Sequence, residues 1–587
     1  ISACLVGSEM CIRDSVKPAY CRWMQKPVLL VIGRKCLALQ LIFAMGLAGA
    51  QTPLPKAPAS EVIVEGNAAA LQNLGRAVQS QEAQSPFLPN KNTPRTQPNL
   101  VLPDMGDPGG DALSPVDERR IGERIMREIR ADPDYSNDLP IYDFLNQMDR
   151  RLLQAAKRLQ LGGANALGSA QYNFEVFAVK EPSINAFALP GGFIGFHTGL
   201  LVVAETESEV ASVMGHEIGH VLQRHIARSM DKQAMNTMIA IAGMVLGALA
   251  ASSNPSAAVG LMRGGQALSV QNQLAYSRDA EREADRIGFL ILEGSGYDVN
   301  GMPAFFQRLQ KATSIMDSGV PAYVRTHPLT IDRIADMQDR VRMVNAKNVP
   351  SSLEFYLIKA RARLDQQKGS SGLFDARNIF ESLSNQTSPI KQMEGFYGLA
   401  LVAQRQGKVD IAEGYLQKTR QIMQAVAAPG SPFVRQSVAL DTTASELALA
   451  KGKSQEALQI AHATLRAYPE SFAAAVAMIQ AELKLGKTDE AISWLRGRTK
   501  QQPNETIWWT LLADAYNQSN NVALRHYAIG EKFALTGAWP SAIEQMRIAR
   551  TAGGNNYYQG STIDARIREF QKMYQEEQRE DAKSRGG

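Results

Sequence analysis

Two histidines one helical turn apart, with a glutamate beside the first, stand at His216-Glu217-Ile218-Gly219-His220, in a stretch with the apolar spacing of a buried helix. Positions i and i+4 of a helix share a face, so both imidazoles can reach one ion about 2 Å away, and Glu217 is turned toward the ion's open side. The chemistry this pattern serves is metal-assisted hydrolysis, with a zinc ion as Lewis acid and the carboxylate taking the proton that an attacking water gives up. With 7 histidines in 587 residues, chance is a weak source of such a pentapeptide.

A catalytic zinc needs a third protein ligand and one position left for water. The stretch Ser277–Gly288 holds Glu281 and Asp285 one helical turn apart, so one carboxylate can bind the ion while the other accepts a hydrogen bond from a ligand histidine; Glu283 points elsewhere. His327, in Thr326-His327-Pro328, reads either as a capping or core residue or as an imidazole able to fill the fourth position. His225 follows His216 by nine residues, about 2.5 turns, and is expected to face away from it. His197 is not expected to bind the ion, and His462 and His526 fall in the C-terminal region.

These groups need elements to position them. Helical patterns run from Asp117 to about Leu159, and Tyr172, Phe174 and Val176 alternate with polar residues as in a strand. Asn185 to His197 reads as a strand pair turned at Pro190-Gly191-Gly192, directly before the histidine helix. Gly192, Phe193, Ile194 and Gly195 are then expected to form an exposed strand edge to which a substrate peptide can add. From about Ser351 the pattern is helical to the end. Gly452, Ala457 and Pro469 recur as Gly486, Ala491 and Pro503, a 34-residue period that resembles the tetratricopeptide repeat, a stack of paired helices. Trp509, Leu512, Ala513 and Tyr516 fit the next helix of that pattern, while Arg525 stands where a small alanine is expected, so the last repeat is irregular or a cap.

His216-Glu217-Ile-Gly-His220 with Glu281-Arg-Glu-Ala-Asp285 resembles the gluzincin metallopeptidases that include the CaaX prenyl proteases. The resemblance implies Glu281 rather than Glu283 as third ligand, Asp285 behind it, one zinc per chain, and His327 as a fourth zinc ligand that can hold the enzyme latent. The membrane-embedded members carry several spanning helices that this sequence lacks. Leader, protease and repeats together resemble exported members of the family that degrade stalled outer-membrane β-barrel proteins, help others assemble and dock on the barrel-assembly machinery. The expected fold is a mainly helical α+β zinc metalloprotease domain at 116–348, followed by an all-α tetratricopeptide-repeat solenoid at 349–587. The rival reading is a chaperone or adaptor whose repeats do the work, with proteolysis secondary; prenyl-peptide processing is disfavoured.

Compartment follows from the N-terminal region. Residues 1–23 resemble translated adapter sequence, and 24–50 form an expected signal peptide, with basic residues, an apolar run from Cys36 to Leu47 and Ala48-Gly49-Ala50. The mature periplasmic chain is expected to start at Gln51, with a disordered linker over 51–115. All four cysteines precede that point, which leaves no structural disulfide. The six basic and two acidic residues of 1–50 account for four of the five net positive charges, so nucleic acid is excluded as a partner. The longest uncharged apolar run after the leader, Met238 to Ala251, is too short to span a bilayer and reads as a core helix or as a cover that touches membrane or unfolded substrate.

Overall fold

The computed structural model describes residues 114–161, 174–229, 277–315, 321–552 and 556–585, except 428, 432, 433 and 435. The expected leader, nearly all of the expected linker and the Met238–Ala251 run lie outside the described residues. The chain begins with α1 (Pro115–Ala131) and α2 (Leu139–Arg158), each started by a polar cap and a proline in its first turn: Ser114 accepts from Asp117 N, and Asp138 accepts from Ile141 N. Then come β1 (Glu175–Val179), β2 (Ala186–Leu189), β3 (Phe193–His197), α3 (Thr198–Val203), α4 (Glu207–Leu222), α5 (His225–Ser229), α6 (Arg278–Gly294), α7 (Gly301–Ile315), α8 (Ala322–Thr326) and α9 (Ile331–Met343).

Among the described residues the sheet has the order β1-β3-β2, with β1 parallel and β2 antiparallel to β3. This corrects the expected substrate edge. Phe193, Ile194 and Gly195 are paired on both sides, Ile194 with Val176 and with Ala188, and Gly192 gives its carbonyl to Glu175 N. Their backbone groups are used up within the sheet. The sequence shows the β2–β3 turn but not that β1 returns to cover the far side of β3. An outer strand of this sheet is β2, which packs beside α4.

Helix α4 is buried from Ser208 to Leu222. Val210, Met214 and Ile218 are fully enclosed, each stabilising by roughly 1.5–3 kcal/mol, so the core places this helix before any ligand does. It crosses α6 closely because Gly215 and Gly219 face Ala284 and Gly288; a Cβ on Gly219 would lie 2.9 Å from Ala284 O.

The link between α9 and α10 leads into α10 (Leu353–Asp365), α11 (Gly369–Ser384), α12 (Pro389–Arg405), α13 (Val409–Val426), α14 (Val438–Ala450), α15 (Ser454–Ala467), α16 (Phe472–Lys484), α17 (Thr488–Gln501), α18 (Thr506–Gln518), α19 (Val522–Leu535), α20 (Trp539–Thr551) and α21 (Tyr557–Arg585). Gly452 and Gly486 both adopt φ +74°, ending helices in the left-handed conformation, and Asn520, one period on, does so at φ 55°. The helices that follow Ser437, Ser471 and Glu505, again one period apart, are gripped from the N-terminal part of the chain or from α10. Ala439 N donates to Glu354; Ser471 Oγ, Phe472 N and Ala473 N donate to Asp143 at 2.6, 2.8 and 3.0 Å; Tyr142 OH donates to Glu505 at 2.9 Å. The last helix returns to α1, where Arg127 Nη2 donates to Glu577 at 2.9 Å. One hydrophobic cluster runs from Ile141 to Leu447, so the core is continuous across the expected boundary at 348/349. Among the described residues no helix is long and apolar enough to cross a membrane.

Candidate metal centre

Helix α4 starts at Thr206, whose hydroxyl accepts from Glu209 N, and three turns later presents His216, Glu217 and His220 to the interior. Helix α6, capped by Ser277, turns Glu281 and Asp285 toward the same point. His327, at the C-terminal end of α8, reaches the same point. His216, His220, Glu281 and His327 each offer one donor atom within 4.8 Å of all the others, and all four side chains are buried. His216 Nε2 and His220 Nε2 are 3.0 Å apart; Glu281 Oε1 lies 3.4 Å from His220 Nε2 and 3.0 Å from His327 Nδ1.

The surrounding network assigns the tautomers. Asp285 Oδ1 lies 2.8 Å from His216 Nδ1, which puts a proton on Nδ1 and the lone pair on Nε2. His220 turns its Nδ1 to His225 Nδ1 at 2.8 Å, and His225 Nε2 reaches Glu283 Oε2 at 3.0 Å. With Glu283 accepting, His225 Nδ1 is an acceptor for His220 Nδ1–H, so His220 Nε2 also carries a lone pair. Two lone pairs face each other across 3.0 Å beside a carboxylate, an arrangement that calls for a cation between them. The residues present therefore fit a metal ion.

Electrostatics agree. Burial drives the His220 pKa well below the ordinary imidazole range, which keeps the ring neutral and able to ligate. Burial also works against charge on Glu281, but His327, His220 and His216 outweigh it and hold the carboxyl well below its usual range. For His327, burial is outweighed by Glu217 and Glu281, and the ring's pKa is raised. Both carboxylate oxygens of Glu217 are buried without a hydrogen-bond partner, and Oε1 is 3.5 Å from His327 Nε2. His327 thus stands between Glu217 and the other donors.

The structure brings His216, Glu217, His220, Glu281, Asp285 and His327 together and leaves Phe193 to Gly195 inside the sheet, with Gly192 in the turn before it. It also adds residues to which sequence reasoning gave no role. Arg333 donates to both oxygens of Asp285 at 2.6 and 2.8 Å, approaches Glu281 Oε2 at 2.6 Å and donates to Pro328 O at 2.8 Å. Tyr323 stacks on His327 with ring centroids 4.5 Å apart. A signal for Arg333 was present, since it lies six residues after His327, but an arginine in a helix's first turn is ordinarily solvated. His225 does not enter the donor set, as expected, and its ring backs His220. His197 lies apart, bonded to Ser183 Oγ at 2.9 Å.

Comparison with known proteins places this geometry. Residues 147–341 match peptidase family M48, and residues 448–515 match a tetratricopeptide-repeat family. The chain is 31% identical over 475 residues to the β-barrel assembly-enhancing protease of Escherichia coli (strain K12), covering 81% of this chain and 92% of that one. It is 32% identical over 448 residues to the putative β-barrel assembly-enhancing protease of Vibrio cholerae, covering 76% and 87%. The mitochondrial metalloendopeptidase OMA1 of Arabidopsis thaliana is similar over a shorter span, 37% over 156 residues, which is 27% of this chain and 29% of that one. With a buried two-histidine, one-carboxylate donor set on α4 and α6 and a repeat array behind it, the chain belongs to the M48 metallopeptidases, in the repeat-bearing group of β-barrel assembly-enhancing proteases.

Proposed function

We propose that the chain is an exported, periplasmic zinc endopeptidase that degrades misfolded or stalled outer-membrane β-barrel proteins and assists the assembly of others, its repeats docking on the assembly machinery. The observation that carries the reading is Glu217: a fully buried carboxylate with no hydrogen-bond partner on either oxygen, beside three donors suited to one metal ion. The relatives named for β-barrel assembly support the substrate class.

In this reading His216, His220 and Glu281 hold the zinc, and Asp285 fixes the His216 ring. The ion, when bound, supplies Lewis acidity toward the scissile carbonyl and the attacking water. Glu217 accepts the water's proton and delivers it to the leaving amine. A substrate segment adds to the outer side of β2, beside α4, which orients its carbonyl toward the donor set. His327 fills the place between Glu217 and the ligands and keeps the resting enzyme latent. Export through the leader at 24–50 and a functional division at 348/349 belong to the same reading.

Glu217→Gln tests it. The variant is expected to retain stoichiometric zinc and lose hydrolysis of an unfolded β-barrel protein; normal turnover would refute the assignment. The position of His327 favours a second reading, a scaffold whose proteolysis is secondary. That reading requires Glu217→Gln to support barrel assembly in cells as well as the unaltered protein does.

A further inference from the structure

Behind His216 stands the Asp285–Arg333 pair; behind His220 stands something the sequence argues against. On a continuous helix His225 would sit about 140° round from His220 and could not touch it. The helix instead ends at Leu222, and Arg224 takes up φ +51°, a left-handed conformation that residues with a Cβ rarely adopt. Arg224 is held there from α1, its Nε and Nη2 donating to buried Glu118 Oε1 at 2.9 and 2.6 Å. The kink swings His225 back so that its ring meets that of His220 at a centroid distance of 4.9 Å and an angle of 73°. Its other nitrogen is fixed by Glu283, which Arg228 Nη2 also contacts at 3.2 Å.

We propose that His225 is a positioning residue for the metal, acting through His220, with Glu283 as its anchor. The order of donors runs one way: His225 Nε2–H to Glu283, His220 Nδ1–H to His225, and the His220 Nε2 lone pair to the ion. Glu283, on the opposite side of α6 from Glu281, thereby sets the tautomer of a ligand that it never touches. Outer partners of this kind are worth about 10–100-fold in metal affinity. The inference rests on the metal reading above.

The test is zinc affinity of the full chain, read by competition with a chromophoric chelator, with thermal melting of the metal-free proteins as a check on folding. His225→Phe keeps a ring but removes the acceptor, and is expected to weaken zinc by about 10–100-fold. His225→Asn places an acceptor where Nδ1 was and is expected to recover most of that loss. Phe and Asn variants that lose zinc equally, or a Phe variant within twofold of the unaltered protein, overturn the proposal. If the unaltered protein itself binds no zinc, it is the metal reading that fails.

Discussion

Gly288→Ala turns the closeness of α4 and α6 into a measurement. A Cβ at Gly288 would lie 2.9 Å from His216 N and 3.0 Å from both Gly215 C and His216 Cα, all backbone atoms that no rotamer change can move aside. Reaching the 3.4 Å at which ordinary contact begins means parting the two backbones by about 0.5 Å, against the about 0.2 Å within which metal–ligand distances are held. Two terms compete. Alanine in a helix interior is favoured over glycine by about 1 kcal/mol, whereas overpacking a core costs about 1–3 kcal/mol. Because the obstruction is backbone on a helix buried along its length, overpacking wins, for a net loss of up to about 2 kcal/mol. Zinc affinity is expected to fall with it, since the substitution moves Glu281 away from the histidine pair. Gly497→Ala is the control: it sits in α17 with nothing within 4 Å of an added Cβ, so only the helix term operates and the protein gains stability. Thermal melting of the metal-free proteins and a zinc competition titration read both effects. A Gly288→Ala protein that melts at or above the unaltered one and binds zinc equally well would refute the reasoning.

Other outcomes follow from the same structure. His327→Ala opens the place between Glu217 and the ligands and is expected to raise cleavage of an unfolded β-barrel protein; unchanged rates together with unchanged zinc binding would count against a latch. Gly486, at φ +74° with open space around it, should lose about 1–2 kcal/mol on substitution by alanine but less by asparagine, the residue used one period later at Asn520; equal melting points for the two variants would contradict this. Asp143, 8% exposed, has its pKa pushed up to about 6 by burial, against hydrogen bonds from Ser471 and the α16 N-terminus. Its folded value lies above its unfolded value, so its contribution is fully present below about pH 4 and is lost as pH rises through about 6. The stability of the unaltered protein relative to Asp143→Asn should therefore fall by about 3 kcal/mol between pH 4 and pH 7, and a flat difference across that window would disprove the assignment.

What could be read from sequence was what is local or periodic. The i, i+4 spacings of His216 with His220 and of Glu281 with Asp285 hold in α4 and α6, and Pro190-Gly191-Gly192 does turn β2 into β3. The 34-residue period reappears as matching backbone angles at Gly452 and Gly486. What escaped depends on distant pairing or on a broken period. That β1 closes the far side of β3 is invisible to alternation, which gives a strand its faces but not its neighbours. That His225 meets His220 was also hidden, because helical spacing assumes an unbroken helix and one left-handed residue at Arg224 ends it. Asp143 reads as an ordinary charge on an amphipathic helix, because the groups it binds begin 328 residues further on.

The return of α21 to α1 through Glu577 ties the far end of the repeat array to the start of the described chain. A rod of repeats frays from its tips, and its stability is a sum over neighbours. An array whose last helix is tied to α1, and whose inner helices are held by Glu354, Asp143 and Tyr142, has its far end anchored. Array and peptidase are therefore expected to melt as one body, so that shortening the array weakens the peptidase as well.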